Sequence, residues 1–276
     1  MADRIEQFGN SIIQHGKEND RIYLMKLSEE DMPRILDIIE TLADKYQYAK
    51  IFIKVPFKYK DDFEKNGFEI EGSIPDFYHG ETAAYFMSKY PDAKRKQETN
   101  LTELNNIVEI AKNKSRTKDD MLDNGYLCRK AKPADTKAMA ELYSKVFASY
   151  PFPIQDKDYL IKTMNENVVY FGVWKEEKLI ALSSSEMDVK SGNAEMTDFA
   201  VDPEFRGSNL SIVLLSQMEK EMKKRSMELL YTIARAKSYG MNITFAKMGY
   251  CFAGRLKNNT NICGSIESMN LWYKRL

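Results

Sequence analysis

Net charge is the first thing this sequence lacks. Its 41 Lys and Arg residues are matched by 41 Asp and Glu in a chain of 276. With no net field, electrostatic capture of nucleic acid or of an anionic membrane is excluded as the main task. Histidine is scarce. Only His15 and His79 occur, so a histidine-based metal cluster is not available, and no metal is expected. The three cysteines, Cys128, Cys251 and Cys263, form no CxxC pair. They read as reduced thiols, mostly buried, in a cytoplasm. No apolar run approaches the roughly 18 residues of a membrane span. The opening "MADRIEQFGN" carries no apolar stretch of the secretory kind. The expectation is a soluble cytoplasmic protein without nucleic-acid or membrane partners, acting alone or as a homodimer.

What is present is the composition of a globular chain, 43% hydrophobic and 30% charged. The length suits one large domain or two small ones. Strand and helix patterns alternate. A helix is expected from about Ser28 to Lys45, then the strand "AKIFIKV", the short helix "YKDDFEKNG", and the strand pair "FEIEGSI" and "AAYFMSKY". Another helix ends near Lys114. "KSRTKDDMLDNG" reads as a linker, which divides the chain into 1–120 and 121–276. The second part runs strand "YLCRKA", a helix opened by Pro133, and strands "VVYFGVW", "KLIALSSSEMD" and "NAEMTDFAV". A helix from Leu210 to Arg225 follows, with Leu210, Val213, Leu214, Met218 and Met222 on one face. Strand "LLYTIAR", a helix from Tyr239 to Met248, and strands "YCFAGRL" and "ESMNLWYKRL" close the chain.

There is an internal echo. "FEKNGFEIEGSI" (Phe63 to Ile74) repeats the spacing of "FAKMGYCFAGRL" (Phe245 to Leu256). Residues 1 to about 100 therefore read as a copy of the later part of the second domain. They are not expected to repeat its strand–turn–helix.

That strand–turn–helix is "FAVDPEFRGSNLS". A polar turn between a strand and a helix presents backbone N–H groups to an anion. The segment resembles the coenzyme A loop of the GNAT acetyltransferase family, [QR]-x-x-G-x-[GA] after a Val-x-Pro turn. Arg206 fits the first position. Asn209 stands where glycine is usual and Ser211 where glycine or alanine is usual; Asn tolerates positive φ, and Ser is small. "FAKMGY" is similar to the family's x-Y-x-K-x-G-[FY] segment, and the order of elements from Tyr126 to Leu276 is similar throughout. The resemblance implies an α/β GNAT fold: a mixed central sheet flanked by helices, preceded by a half-GNAT-like unit. It implies acetyl-CoA as co-substrate and a small amine, such as a polyamine or diamino acid, as acceptor. A non-catalytic acyl-CoA-binding regulator is the alternative. Arg206, Gly207, Ser208, Asn209, Leu210 and Ser211 would ring the pyrophosphate. The strand residues Phe199, Ala200 and Val201 would pair with the pantetheine arm, and their amides would polarise the thioester carbonyl.

Transfer needs a neutral amine, and deprotonating a lysine-type ammonium at pH 7 costs about 4–5 kcal/mol. From Tyr126 onward there is no histidine to accept the proton. Glu195 is the first choice, because some GNAT enzymes place a base at its offset, six residues before Val201. Period-two alternation predicts Glu195, Thr197, Phe199 and Val201 on one face, with Asp198 on the other. Asp198 is read as a structural acceptor or an ammonium ligand. The family's usual acid position is Phe245 here, with no hydroxyl; Tyr239 is the nearest substitute. For an acceptor bearing a carboxylate, Arg235 and the amides of "KNNTN", Asn259 among them, are candidate anchors. Tyr150 and Phe152, in a loop broken by Pro151 and Pro153, could wall a methylene chain.

Overall fold

A computed structural model describes residues 3–117 and 125–276. The division between 120 and 121 and most of the predicted linker lie outside the described residues. The first 26 residues, to which the sequence reading assigns no element, form three strands: β1 (Arg4–Phe8), β2 (Ser11–Gly16) and β3 (Arg21–Lys26). Helix α1 (Arg34–Tyr46) buries Ile35, Leu36, Ile39 and Ala43 on one stripe. Then come β4 (Lys50–Pro56), α2 (Lys60–Lys65), β5 (Glu69–Tyr78), β6 (Thr82–Lys89) and α3 (Leu101–Lys112). The later part runs β7 (Tyr126–Lys130), α4 (Thr136–Val146), α5 (Lys157–Asn165), β8 (Val168–Lys175), β9 (Lys178–Asp188) and β10 (Asn193–Val201). It closes with α6 (Leu210–Lys224), β11 (Leu229–Arg235), α7 (Tyr239–Lys247), β12 (Cys251–Ile262) and β13 (Ser265–Arg275). Helix α5 carries no sequence expectation. The "KNNTN" segment, which lies between the predicted strands, continues β12 through a register shift between Leu256 and Thr260.

All thirteen strands belong to one sheet, in the order β1-β2-β3-β4-β6-β5-β12-β13-β11-β10-β9-β8-β7. Two neighbouring pairs are parallel, β3 with β4 and β10 with β11. Strands β3, β4, β6 and β5 therefore match β10, β11, β13 and β12 in order and direction. The run β3–α1–β4 also matches β10–α6–β11. This corrects the expectation above: the first part does contain a strand–turn–helix counterpart. It escapes a motif search because its turn reads "LSEEDMP", without a glycine. Asp31, Met32 and Pro33 stand directly before α1 where Gly207, Ser208 and Asn209 stand directly before α6, and Glu29 and Glu30 lie just upstream. Three carboxylates there would repel a phosphate.

The halves join where β5 meets β12, at Gly72 opposite Gly254. These are the equivalent glycines of the echo. A Cβ on Gly254 would lie 2.2 Å from the Glu71 carbonyl oxygen, and one on Gly72 would lie 2.9 Å from the Ala253 carbonyl oxygen. Gly254 also has φ +146°. Only glycine lets these backbones approach so closely. Around the junction, buried Lys50 donates to Glu71 at 2.9 Å and to the Lys257 carbonyl at 2.7 Å. Asn258 donates to the Arg95 and Gln97 carbonyls, and Asn261 donates to that of Glu18.

One apolar core lies under α1 and α2, and another lies under α6 and α7. The third mixes the halves: Tyr23, Phe52, Phe77 and Phe86 pack with Tyr143, Leu160, Tyr170, Met269 and Leu271. The functional site opens within this shared core.

Candidate active site

Strands β10 and β11 pair only from Asn193 with Leu229 to Glu195 with Tyr231. Beyond that they part. β11 stays with β13 as far as Arg235, and β10 stays with β9 as far as Val201. A wedge opens just past Glu195 and Tyr231, leaving strand edges that a ligand's amides could pair with.

β10 also bulges. Thr197 pairs with Ser184, and the next pair is Ala200 with Leu182. Two residues thus oppose one, and Asp198 takes φ +56°. The bulge shifts the alternation by one, so the predicted faces need correction. Glu195 and Thr197 do share a face, but Asp198 joins them around one cavity. Phe199 and Val201 turn instead to the α6 side, and Ala200 enters the shared core.

On the α6 side of the wedge is a cavity of about 530 Å³. Phe199, Val201, Arg206, Gly207, Asn209, Leu210 and Ser211 line it. Ser208 is exposed and off its wall, and Ala200 is buried. Gly207 has φ +87° and Asn209 φ +53°. Asn209 caps α6 without a side-chain bond to the helix, and the N–H groups of residues 207–211 find no acceptor among the described residues. The turn is therefore a set of free donors at the positive end of a fifteen-residue helix, which suits a pyrophosphate. Lys145 and Lys178 brace its approach through ion pairs to buried Asp202 at 2.8 and 3.2 Å.

On the other side is a cavity of about 150 Å³, walled by β3, β4, β9, β10 and the 150–154 loop. Tyr150, Thr197, Asp198, Ile233, Ile262 and Met269 line both cavities, so the two meet there. Glu186, Glu195 and Asp198 line the smaller one together with Lys54 and Arg21. Burial pushes the Glu195 carboxyl up to about 7, and the charge of Glu186 adds to the shift; Lys54 and a hydrogen bond from Tyr231 hold it down. Lys54 in turn donates to the Tyr231 hydroxyl at 3.2 Å. Loss of water, and then the charge of Asp198, raises Glu186 as well. Asp198 is raised by burial, though Ser184 and Tyr150 each donate to it at 2.5 Å. The arrangement offers a carboxylate poised near neutral pH beside a meeting point for two ligands.

Among the other predicted residues, Phe152, Tyr150 and Asn259 line the smaller cavity. Arg235 does not. Its guanidinium forks onto Glu267 at 3.0 and 2.8 Å and faces the larger cavity, so it has no free fork for a substrate carboxylate. Tyr239 is 41% exposed at the start of α7 and lines neither cavity, though Ser238 and Gly240 on either side of it line the larger one. Phe245 is buried against Phe199, edge to face at 5.6 Å. The conspicuous "ARAKSYGMN" segment does structural work. Asn242 accepts from Asn270 and Trp272 and donates to the Arg235 and Ser238 carbonyls.

Sequence reasoning missed Lys54, Glu186, Tyr231 and Arg21. Strand alternation could have flagged Lys54, a charge inside the run "AKIFIKV", and Arg21 at the head of "RIYLMK". Neither has meaning until the halves share a sheet.

Residues 136–250 match the Acetyltransferase (GNAT) family. Over 99% of its length the chain is 42% identical to a β-lysine N(6)-acetyltransferase from Methanococcus maripaludis, covering 98% of that protein. A β-lysine N(6)-acetyltransferase from Methanosarcina mazei is 36% identical over 88% of this chain and 97% of its own. The N-acetyltransferase YodP of Bacillus subtilis is 34% identical over the full length of both chains.

Proposed function

The chain belongs to the GNAT acetyltransferase family, and on that premise we propose that it moves the acetyl group of acetyl-CoA onto the N6 amine of β-lysine. The larger cavity suits the co-substrate. Free amides of residues 207–211 and Arg206 meet the pyrophosphate, and the β10/β11 wedge takes the pantetheine arm. The observation that carries the reading is the junction of the two cavities, with Asp198 on its wall and Glu195 lining the smaller cavity beside it.

There Glu195 takes a proton from the substrate ammonium, and Lys54 and Tyr231 steady the carboxylate that receives it. The neutral nitrogen forms the new C–N bond as the C–S bond breaks. The thiolate leaves with the electron pair and takes up the second proton, which the nitrogen sheds once the C–N bond has formed. This gives the free thiol, whose pKa is near 8.5, without an obligatory protein acid; the proton on Glu195 passes to solvent. The amine loses one positive charge. Its product, with one ammonium and one carboxylate, is net neutral, the charge state of a compatible solute. The reaction is placed in the cytoplasm.

Release of free thiol from acetyl-CoA, measured over β-lysine, lysine and polyamines, tests the proposal. β-Lysine should give the highest kcat/KM, with acetyl found on N6 by NMR. Preference for a polyamine overturns it. Gly207→Asp tests the donor loop. It sets a side chain at φ +87° and a negative charge against phosphate. The acetyl-CoA KM should rise roughly tenfold or more, with the amine KM nearly constant. Unchanged acetyl-CoA affinity by calorimetry would remove the loop from the binding site.

A further inference from the structure

We infer that the first half of the chain supplies a carboxylate-binding subsite, built on Arg21 with Asn259 and Thr260, that selects amines carrying a carboxylate at the end remote from Glu195. This deepens the β-lysine reading and rests on it.

Arg21 is 4% exposed, yet it lines the smaller cavity. Three cations gather beneath the β5–β12 junction. Lys50 has Glu71 at 2.9 Å, and Arg95 has Asp20 at 3.6 Å. Arg21 has no carboxylate within ion-pair distance among the described residues. Its Nη1 donates to the Asn259 carbonyl at 2.5 Å and to Thr260 Oγ1 at 3.0 Å, but its buried Nε donates to nothing. Beside it, Asn259 is 1% exposed and its Oδ1 is also unpartnered. Turning the Asn259 amide over would present an N–H₂ donor there instead.

A buried cation with no anion in contact is costly, and Asp3 acts on Arg21 only as a more distant charge. Burial pulls the Arg21 guanidinium down to about 10, although the Tyr23 and Phe52 rings lie 5.4 and 5.8 Å from it. A guanidinium with its Nε unpartnered at the wall of a cavity offers the kind of fork that carboxylates satisfy bidentately.

Position agrees with chemistry. Arg21 and Tyr23 share one face of β3, and Tyr23 feels both the Arg21 and the Glu195 charges. Arg21 pairs with Lys50 on β4, four residues, or roughly 13 Å of strand, from Lys54. Lys54 donates to the Tyr231 hydroxyl beside Glu195, so Arg21 and Glu195 mark different ends of the cavity. Between the two ends, Tyr23, Phe52, Tyr150 and Phe152 wall the cavity, a lining for methylenes. An amino acid whose reactive amine reaches Glu195 would place its carboxylate at Arg21. A polyamine would set an ammonium against the guanidinium instead.

The test compares paired substrates with and without the carboxylate: β-lysine with 1,4-diaminopentane, lysine with cadaverine, ornithine with putrescine. Wild-type enzyme should prefer the carboxylate member of the best pair by at least about 30-fold in kcat/KM. Arg21→Met should erase that preference, mainly through the amine KM, with acetyl-CoA affinity unchanged as the measure of intact folding. Asn259→Asp is the second variant. It keeps the shape but hands the guanidinium an internal anion, so it too should raise the KM of the carboxylate substrates alone. If β-lysine is not turned over but lysine or ornithine still outranks its decarboxylated partner, the substrate assignment fails and the subsite stands. If no pair shows the preference, or if either folded variant keeps it, the subsite is overturned.

Discussion

Glu195→Gln should lower kcat by 10²–10⁴, the usual loss when a general base is removed, while acetyl-CoA binds as before. The substitution keeps shape and removes the proton acceptor. Wild-type kcat should climb through about pH 7, where the Glu195 carboxyl loses its proton. The variant should lack that limb and recover only at higher pH, where the free amine already arrives neutral. Stability should move the other way. The folded carboxyl titrates near 7, above its ordinary value of 4.5. The fold therefore favours the protonated form, and its stabilising contribution is lost as pH rises from 4.5 through 7. Gln does not titrate, so the variant should melt higher than wild type at pH 8. A role limited to ammonium binding would show instead as a raised amine KM with kcat nearly unchanged. Wild-type kcat and KM together at pH 7 exclude both roles.

Gly254→Ala should destabilise the whole chain, by about 3–5 kcal/mol. The new Cβ falls 2.2 Å from the Glu71 carbonyl oxygen and 2.5 Å from the Gly72 Cα. Both are backbone atoms, so no side chain can swing aside. At roughly 2–4 °C per kcal/mol for a protein near this size, Tm should drop by about 10 °C. Gly264→Ala is the control. Its φ of +84° is also left-handed, but open space surrounds it, so only the backbone strain of about 1–3 kcal/mol remains. Equal melting of the Gly254 variant and wild type would mean the β5–β12 pairing contributes little.

The catalytic half was legible because its signals are local. Helix α6 carries its apolar stripe, "LLYTIAR" is β11 residue for residue, and Arg206 to Asn209 form the turn that leads into α6 at Leu210. Misreadings came where geometry depends on distant partners. Alternation along "NAEMTDFAV" assumes a regular strand, and nothing in those nine residues announces the bulge at Asp198. Arg235 reads as a free fork until Glu267, 32 positions later, is folded against it. Asn258 and Asn261 fall outside the predicted strands because their backbone and amide partners lie in the first half. Arg21 had no role visible from "RIYLMK", since the wall it completes is built from both halves. The echo itself was legible, but not its meaning. Its matched glycines mark the contact point between the two copies.

The order of synthesis gives the shared sheet a further consequence. Strand β5 is complete at Tyr78, but the strand that covers its edge begins at Cys251. At about 5–20 residues per second, a ribosome takes roughly 10–35 s to make the chain between them. Through that interval the nascent first half carries an open edge, with Ile70 on its surface. Such an edge can pair with a neighbouring nascent chain on the same message. Two carboxylates lie beside it: Glu69, paired with Lys96, and Glu71, paired with Lys50 and later accepting the Lys257 N–H. With their charges already matched inside the first half, these carboxylates offer little repulsion, so the edge remains open to pairing until β12 closes it at Gly254 opposite Gly72.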